Sequence, residues 1–217
     1  MEKASKNIKL IIICIMAVVL IIIAIIIALN YNKAQTKNET STIDSVPEEK
    51  LNSDELKSFS NYFNDDENNG FLLSNYENVS DIDITEVFNN GAGLNEKITD
   101  TEKEEYLKTK NRSYLVTNVV VFDKTKAEEL FKEKTGEKLD NIVEKLNKWV
   151  YLKNENKFCS EKGDTNKRTV NCTSGTKKLD TYTIKYTLTS GTVQLEGIVT
   201  LLIDSGKYLF QSNEVNL

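Results

Sequence analysis

The sequence predicts an α+β protein: one N-terminal transmembrane helix, then shorter helices, then a C-terminal antiparallel sheet. Three observations support this prediction. An uninterrupted apolar run fills residues 10–29, capped amphipathic segments follow up to about residue 150, and alternating strand patterns separated by turn residues occupy the chain after residue 172. Helices that precede a sheet in this way are typical of the α+β class.

The apolar run is the strongest of these signals. Residues 10–29 contain no charge, Gly or Pro, and ten of these twenty residues are Ile. At about 1.5 Å per residue, such a helix spans about 30 Å, the thickness of the hydrocarbon core of a bilayer, and it satisfies its own backbone hydrogen bonds. The sequence therefore predicts a membrane anchor that contacts the lipid bilayer through residues 10–29.

Charge predicts the orientation of this anchor. Lys3, Lys6 and Lys9 precede it, and Lys and Arg side chains are preferentially retained on the cytoplasmic side. We therefore expect residues 1–9 to form a cytoplasmic tail and residues 51–217 to lie outside the cell membrane. The alternative is a cleaved signal peptide, but its apolar region is usually only about 7–15 residues long.

The anchor also carries one face of small side chains. At 100° per residue, its small residues all fall within an arc of about 80°; they are Cys14, Ala17, Ala24 and Ala28. Small residues let transmembrane helices approach closely, so this face predicts a homodimer. The alternative is that the four residues share a face by chance.

Composition separates a linker from one outer domain. Residues 30–50 are polar and contain the only Pro of the chain, which predicts a disordered linker. Residues 51–217 are enough for one domain with a hydrophobic core. Residues 30–217 hold 25 basic and 32 acidic side chains, a net charge of −7, which argues against nucleic acid as a partner.

Helix signals dominate the first part of this domain. Asn52 and Glu55 form a capping-box pattern that predicts a helix over residues 53–64. The same cap-plus-three spacing recurs in three further pairs: Asp83 with Glu86, Thr99 with Glu102, and Thr125 with Glu128. The helix that begins at the last of these pairs is expected to end at Gly136. Apolar residues spaced from Leu139 to Trp149 predict another helix.

Strand signals dominate the second part. Residues 114–122 (YLVTNVVVF) are β-branched or aromatic and predict one strand between two helices. Residues 181–188 alternate as TYTIKYTL, and two further strands are expected over residues 193–203 and 207–212. Short Gly-containing turns separate these three strands, so they predict an antiparallel meander.

The cysteines and the absence of His limit the disulfides, metal sites and catalytic groups that this protein can have. Cys159 and Cys172 are the only cysteines beyond the anchor, and an even pair in an oxidising compartment predicts a disulfide worth about 3 kcal/mol. The alternative is a pair of free thiols. Without His, the usual general base and metal ligand are missing, so we expect neither a metal, nor a cofactor, nor an enzyme.

Two polar loops resemble binding sites. Residues 64–70 (NDDENNG) resemble a calcium loop, but the twelfth position would be Tyr76 where a Glu is needed, so a solvated turn is favoured. The second loop would lie inside the disulfide-closed segment and is a candidate binding loop; it consists of Gly163, Asp164, Thr165 and Asn166. The alternative for this loop is a plain surface turn.

Several stretches carry a resemblance to other proteins: YFNDDENNGFLLSNY (62–76), VFNNGAG (87–93), GDTN (163–166) and VTLLIDSGKYLFQSNEV (199–215). They resemble uncharacterised, signal-anchored exported proteins of low-GC Gram-positive bacteria, for which the resemblance implies no activity. The order of helices and sheet is also loosely similar to NTF2-like domains on membrane-anchored proteins, at the level of fold alone.

These observations together predict a single-pass membrane protein that presents a non-enzymatic binding domain outside the cell. Its expected partner is another envelope protein or a wall component. The first alternative is a structural subunit of an envelope or secretion assembly with an NTF2-like domain, and the second is a cell-envelope hydrolase.

Overall fold

The computed structural model describes residues 46–162 and 168–216. The chain divides into two units at Pro47, and every helix and strand described belongs to the second unit, Glu48–Leu217. The predicted anchor, with its small face of Cys14, Ala17, Ala24 and Ala28, lies outside the described residues. Within the described ranges, no helix is both long enough and apolar enough to span a bilayer.

The architecture is α+β. The helices are α1 (Ser53–Asn64), α2 (Asp66–Asn69), α3 (Ile84–Val87), α4 (Asp100–Thr109), α5 (Lys124–Thr135) and α6 (Ile142–Lys145), with 3-10 turns at Gly70–Leu72 and Val79–Asp81. The strands are β1 (Glu49–Lys50), β2 (Val119–Asp123), β3 (Val150–Leu152), β4 (Lys157–Glu161), β5 (Thr169–Lys178), β6 (Thr181–Ser190), β7 (Val193–Asp204) and β8 (Lys207–Val215).

The C-terminal meander was correctly predicted. Strands β6, β7 and β8 pair consecutively as antiparallel neighbours, as expected. Strand β5, which was not predicted, pairs with β6, and β1 adds to the free edge of β5, which gives the order β1-β5-β6-β7-β8. The tight turns use Gly191 and Gly206 with positive φ angles, where an L side chain would be strained. Because β1 starts at Glu49, the linker prediction that extended to residue 50 is wrong at its C-terminal end.

A second sheet was not predicted. It has the order β2-β4-β3 and is antiparallel throughout. Strand β2 covers only the end of the predicted 114–122 strand, and Tyr114 is 69 % exposed in the loop before it. Residues 114–118 have the composition of a strand but lie before β2 and do not pair in the sheet. The strand predicted from composition was therefore too long.

The local helix signals were mostly correct. The capping box of α1 is present: Asn52 Oδ1 accepts hydrogen bonds from the amides of Asp54 (2.9 Å) and Glu55 (3.1 Å). Thr99 and Glu102 form the second predicted box at α4. Helix α5 begins one residue before Thr125, because Asp123 is its N-cap.

The predicted helix from Leu139 to Trp149 is wrong over most of its length. Only α6 is helical, and Asn141, with a φ of 55°, immediately precedes it. Four of the five apolar residues at helical spacing are nevertheless buried in the core, namely Leu139, Ile142, Leu146 and Trp149, whereas Val143 is 40 % exposed. Periodic burial was therefore correctly inferred, whereas the backbone that achieves it is mainly turns.

The three-stranded sheet separates two hydrophobic clusters. On one side, Phe122 and Phe158 join the large cluster that also contains the inner face of the five-stranded sheet. On the other side, Val121 and Cys159 join a small cluster closed by α4. Adjacent residues of a strand point to opposite faces, so β2 and β4 each contribute to both clusters.

Candidate functional site

A groove lined by tyrosines lies between α1 and one end of the five-stranded sheet. It has a volume of about 380 Å³, and its walls come from both elements; they are Asn52, Asp54, Glu55, Ser58, Phe59, Tyr62, Tyr182 and Tyr208. The volume falls within the range usual for small-ligand sites, about 300–1,000 Å³. Apolar rings form its walls, and carboxylates lie at the N-terminal end of α1.

Regular secondary structure positions these side chains. On α1, Glu55, Phe59 and Tyr62 follow one another at four- and three-residue spacing, so they share one face of the helix. Tyr182 and Tyr208 are each the second residue of their strands, β6 and β8. The groove therefore rests on a helix and a sheet, which hold its walls more precisely than loops would.

The rings of the groove pack against one another at an angle. The centroid of Tyr208 lies 5.0 Å from that of Phe59, 5.4 Å from that of Tyr62 and 5.8 Å from that of Tyr182, with interplanar angles of 57°, 63° and 89°. These are favourable tilted and edge-to-face arrangements. Tyr208 is thus the ring that the other three surround.

The phenols of Tyr62 and Tyr208 stay neutral at ordinary pH, because the pKa of each is raised. Burial raises the pKa of Tyr62 well above 10, and nearby Tyr208, Glu133, Glu67 and Asp65 raise it further. Burial also raises the pKa of Tyr208; Tyr182 and the Glu55 carboxylate raise it further, and the Lys177 ammonium opposes them. A neutral phenol keeps its hydroxyl proton and can donate a hydrogen bond.

Two ring faces near the groove already carry ammonium groups. Lys177 Nζ lies 5.3 Å from the ring centroid of Tyr182, and Lys134 Nζ lies 5.9 Å from that of Tyr62. Lys134 is fixed there by an ion pair of 2.9 Å with Glu67. Both distances are within the range of cation–π attraction.

The predicted disulfide between Cys159 and Cys172 is absent from the structure. Cys159 and Cys172 are free and buried, Cys159 in the small cluster and Cys172 in the large one. The three-stranded sheet lies between these clusters, so the proximity of the two thiols in sequence does not bring them together. The candidate binding loop, Gly163, Asp164, Thr165 and Asn166, lies outside the described residues.

We expect neither thiol to react with maleimide in the folded protein. Burial raises the pKa of Cys159 to about 12 and that of Cys172 to about 11, which suppresses the reactive thiolate. Both should react in denaturant without a reductant, which mass spectrometry of the labelled chain can measure. Labelling that requires a reductant would instead indicate a disulfide.

The segment that resembles a calcium loop is part of the core. Asn68 and Asn69 are buried, and their side-chain amides donate to the carbonyls of Tyr62 (2.9 Å) and Phe63 (3.0 Å) at the end of α1. The expectation of a solvated turn that ends the helix is therefore correct for Asp65, Asp66 and Glu67, which are exposed after the end of α1, and wrong for Asn68, Asn69 and Gly70, which are buried. In the part of the chain that the structure describes, no three His, Cys, Asp or Glu side chains are grouped to hold a metal ion.

The groove was not found from the sequence. Tyr182 was included in an alternating strand, and Phe59 was assigned to the apolar face of α1, but nothing in their spacing connects the two. No family model, curated protein or solved structure matches the chain. The fold and the groove therefore define the class of this protein: it contains an α+β domain with an aromatic groove between a helix and a sheet.

Proposed function

We propose that residues 51–217 form a non-enzymatic binding domain, held at the outer face of the cell membrane by the anchor of residues 10–29. The groove between α1 and the sheet is its ligand site. The observation that carries this proposal is the grouping of three tyrosines and two carboxylates around a cavity of about 380 Å³.

The character of the groove supports binding. Ligand sites are typically concave, mainly apolar, and supplied with a few polar groups that orient the ligand. Here the rings of Phe59, Tyr62 and Tyr208 supply the apolar wall, and Asp54 and Glu55 supply charge at one end. Tyrosine is also common at recognition surfaces, because its rigid ring gives a large contact area with little loss of conformational entropy.

The proposed location rests on the N-terminal sequence. The apolar length of residues 10–29 matches a bilayer, and the three lysines before it favour a cytoplasmic N-terminus. A domain on the outer face would meet other envelope proteins and wall polymers. We therefore propose one of these as the partner.

A photo-crosslinking experiment tests this function. A benzoylphenylalanine in place of Ser58, which is exposed at the groove, should capture an envelope protein or wall fragment in intact cells. The same group in place of Lys185, which is exposed on the outer face of β6, is the matched control and should capture much less. Products are identified by mass spectrometry.

The pattern of products decides between the alternatives. Equal capture from the two positions would contradict the groove as the site. Capture of mainly a second copy of the chain would favour a structural subunit of an envelope assembly.

A further inference from the structure

We propose that the groove binds an organic ammonium group, as found in alkylamines and quaternary ammonium compounds. This inference rests on the proposed function, because it names the ligand class of the same site. The cation would lie at the Tyr208 ring, between the aromatic wall and the carboxylates of Asp54 and Glu55.

The charge of the groove favours a cation. Asp54 and Glu55 belong to its lining, whereas no Lys or Arg does. The face of the Tyr208 ring adds the negative side of its quadrupole. The Glu55 carboxylate raises the pKa of the Tyr208 phenol and so acts near that ring, while the Lys177 ammonium, which lowers the same pKa, is the nearby charge of opposite sign.

The lysines beside the groove indicate that these rings accept ammonium groups. Tyr182 has Lys177 over its face, and Tyr62 has Lys134. Tyr208 is the third tyrosine of the groove. Among the described residues no lysine lies over its ring, although the Lys177 ammonium is near enough to lower the pKa of its phenol. Its ring therefore offers an external cation the kind of contact that the other two already make internally.

The N-terminus of α1 does not make the groove an anion site. The amides of Asp54 and Glu55 donate to Asn52 Oδ1, and the amide of Leu56 donates to the Asn52 carbonyl. Glu55 Oε2 accepts from the Asn52 amide at 2.8 Å. The amides of Asn52, Asp54, Glu55 and Leu56 are thus already used by the helix cap, and the carboxylates of Asp54 and Glu55 would repel an anion there.

Calorimetry on the full chain in a maltoside detergent tests this proposal. Choline is compared with 3,3-dimethyl-1-butanol, a neutral molecule of nearly the same shape, and n-butylammonium is compared with n-butanol. We expect at least one cation to bind about tenfold more tightly than its neutral partner. Preference for choline would indicate a quaternary ligand, and preference for n-butylammonium would indicate a primary amine such as a lysine side chain.

Three variants assign the binding to the groove. Tyr208→Leu should remove most of the preference for the cation, and Asp54→Asn should weaken it severalfold without changing the rings. Tyr114→Leu, in an exposed loop, is the matched control and should leave binding unchanged. Circular dichroism checks that each variant is folded; Asp54→Asn provides the test if Tyr208→Leu does not fold.

The outcomes separate this proposal from the proposed function. If cations and neutral partners bind equally, or if neither binds while the groove still captures a partner from Ser58, the ammonium proposal is wrong and the binding function stands. If neither cation binds and Ser58 captures nothing beyond the Lys185 control, both proposals are wrong.

Discussion

Replacing Lys157 by Met is expected to lower the free energy of unfolding by about 3 kcal/mol. Lys157 Nζ lies 2.7 Å from Glu96 Oε2 and 3.0 Å from Glu102 Oε1, and Glu102 is only 3 % exposed. The substitution would leave the Glu102 carboxylate buried without its cation. Urea unfolding, followed by the near-ultraviolet dichroism of the aromatic core, measures the change.

The size of this effect should depend on pH. Burial by itself raises the pKa of Glu102, but hydrogen bonds from Thr99 and Lys157 outweigh burial and hold the pKa below 4.5. The stabilising contribution of Glu102 in the native protein is therefore present above about pH 4.5 and is lost as pH falls through the lowered pKa. Without Lys157, the contributions of its ammonium that lower the pKa of Glu102 are lost, so this pKa rises, and protonation of the carboxylate then relieves part of the penalty. The difference between the two proteins should shrink from pH 7 to pH 4.

Two controls isolate the buried charge. Lys207→Met removes an exposed lysine whose ion pair with Glu133 spans 3.3 Å, and it should change stability by less than about 1 kcal/mol. Combining Lys157→Met with Glu102→Gln removes the uncompensated charge and should recover part of the loss. Equal effects of the Lys157 and Lys207 substitutions would contradict this explanation.

Replacing Gly70 by Ala is expected to cost about 3 kcal/mol. A Cβ atom at Gly70 would lie 2.6 Å from the Cα atom of Val87 and even closer to its carbonyl oxygen. Because the obstructing atoms are backbone, no rotamer change can relieve the overlap. Thermal and urea unfolding of the variant measure the loss.

The matched control for Gly70 is Gly191→Ala. Gly191 has a φ of 58° and no atom within 4 Å of its would-be Cβ, so only conformational strain of about 1 kcal/mol is expected. At Gly70 the φ angle is −61°, which any residue can adopt. If the two substitutions cost the same, the close approach of Val87 is not the reason for glycine at position 70.

Gly70 also illustrates how one sequence pattern can have two physical causes. In the sequence, the glycine after Asp65, Glu67 and Asn69 matches the sharp turn of a calcium loop. In the structure, it is needed because α3 passes directly against the turn that follows α2. Only the fold places Val87 beside Gly70, so no local pattern could distinguish these causes.

The groove, like the reason for glycine at position 70, could be identified only from the tertiary structure. It joins residues 52–62 to Tyr182 and Tyr208, which follow more than a hundred positions later. The helix and both strands were predicted, yet periodicity gives no information about which strand end packs beside which helix turn. The two cysteines were misjudged for the same reason: they are close in sequence but belong to different clusters.

The sequence by itself determined the α+β class, the cap of α1, the αL end of α5 at Gly136 and the C-terminal meander. These features arise from residues within a few positions of one another, where capping, turn geometry and side-chain alternation act directly. The tertiary structure alone decided the three-stranded sheet, the separation of the thiols and the tyrosine groove. Each of these features depends on contacts between segments that are far apart in the sequence. The burial of apolar surface between such segments stabilises these contacts, and local sequence patterns do not indicate which segments will meet.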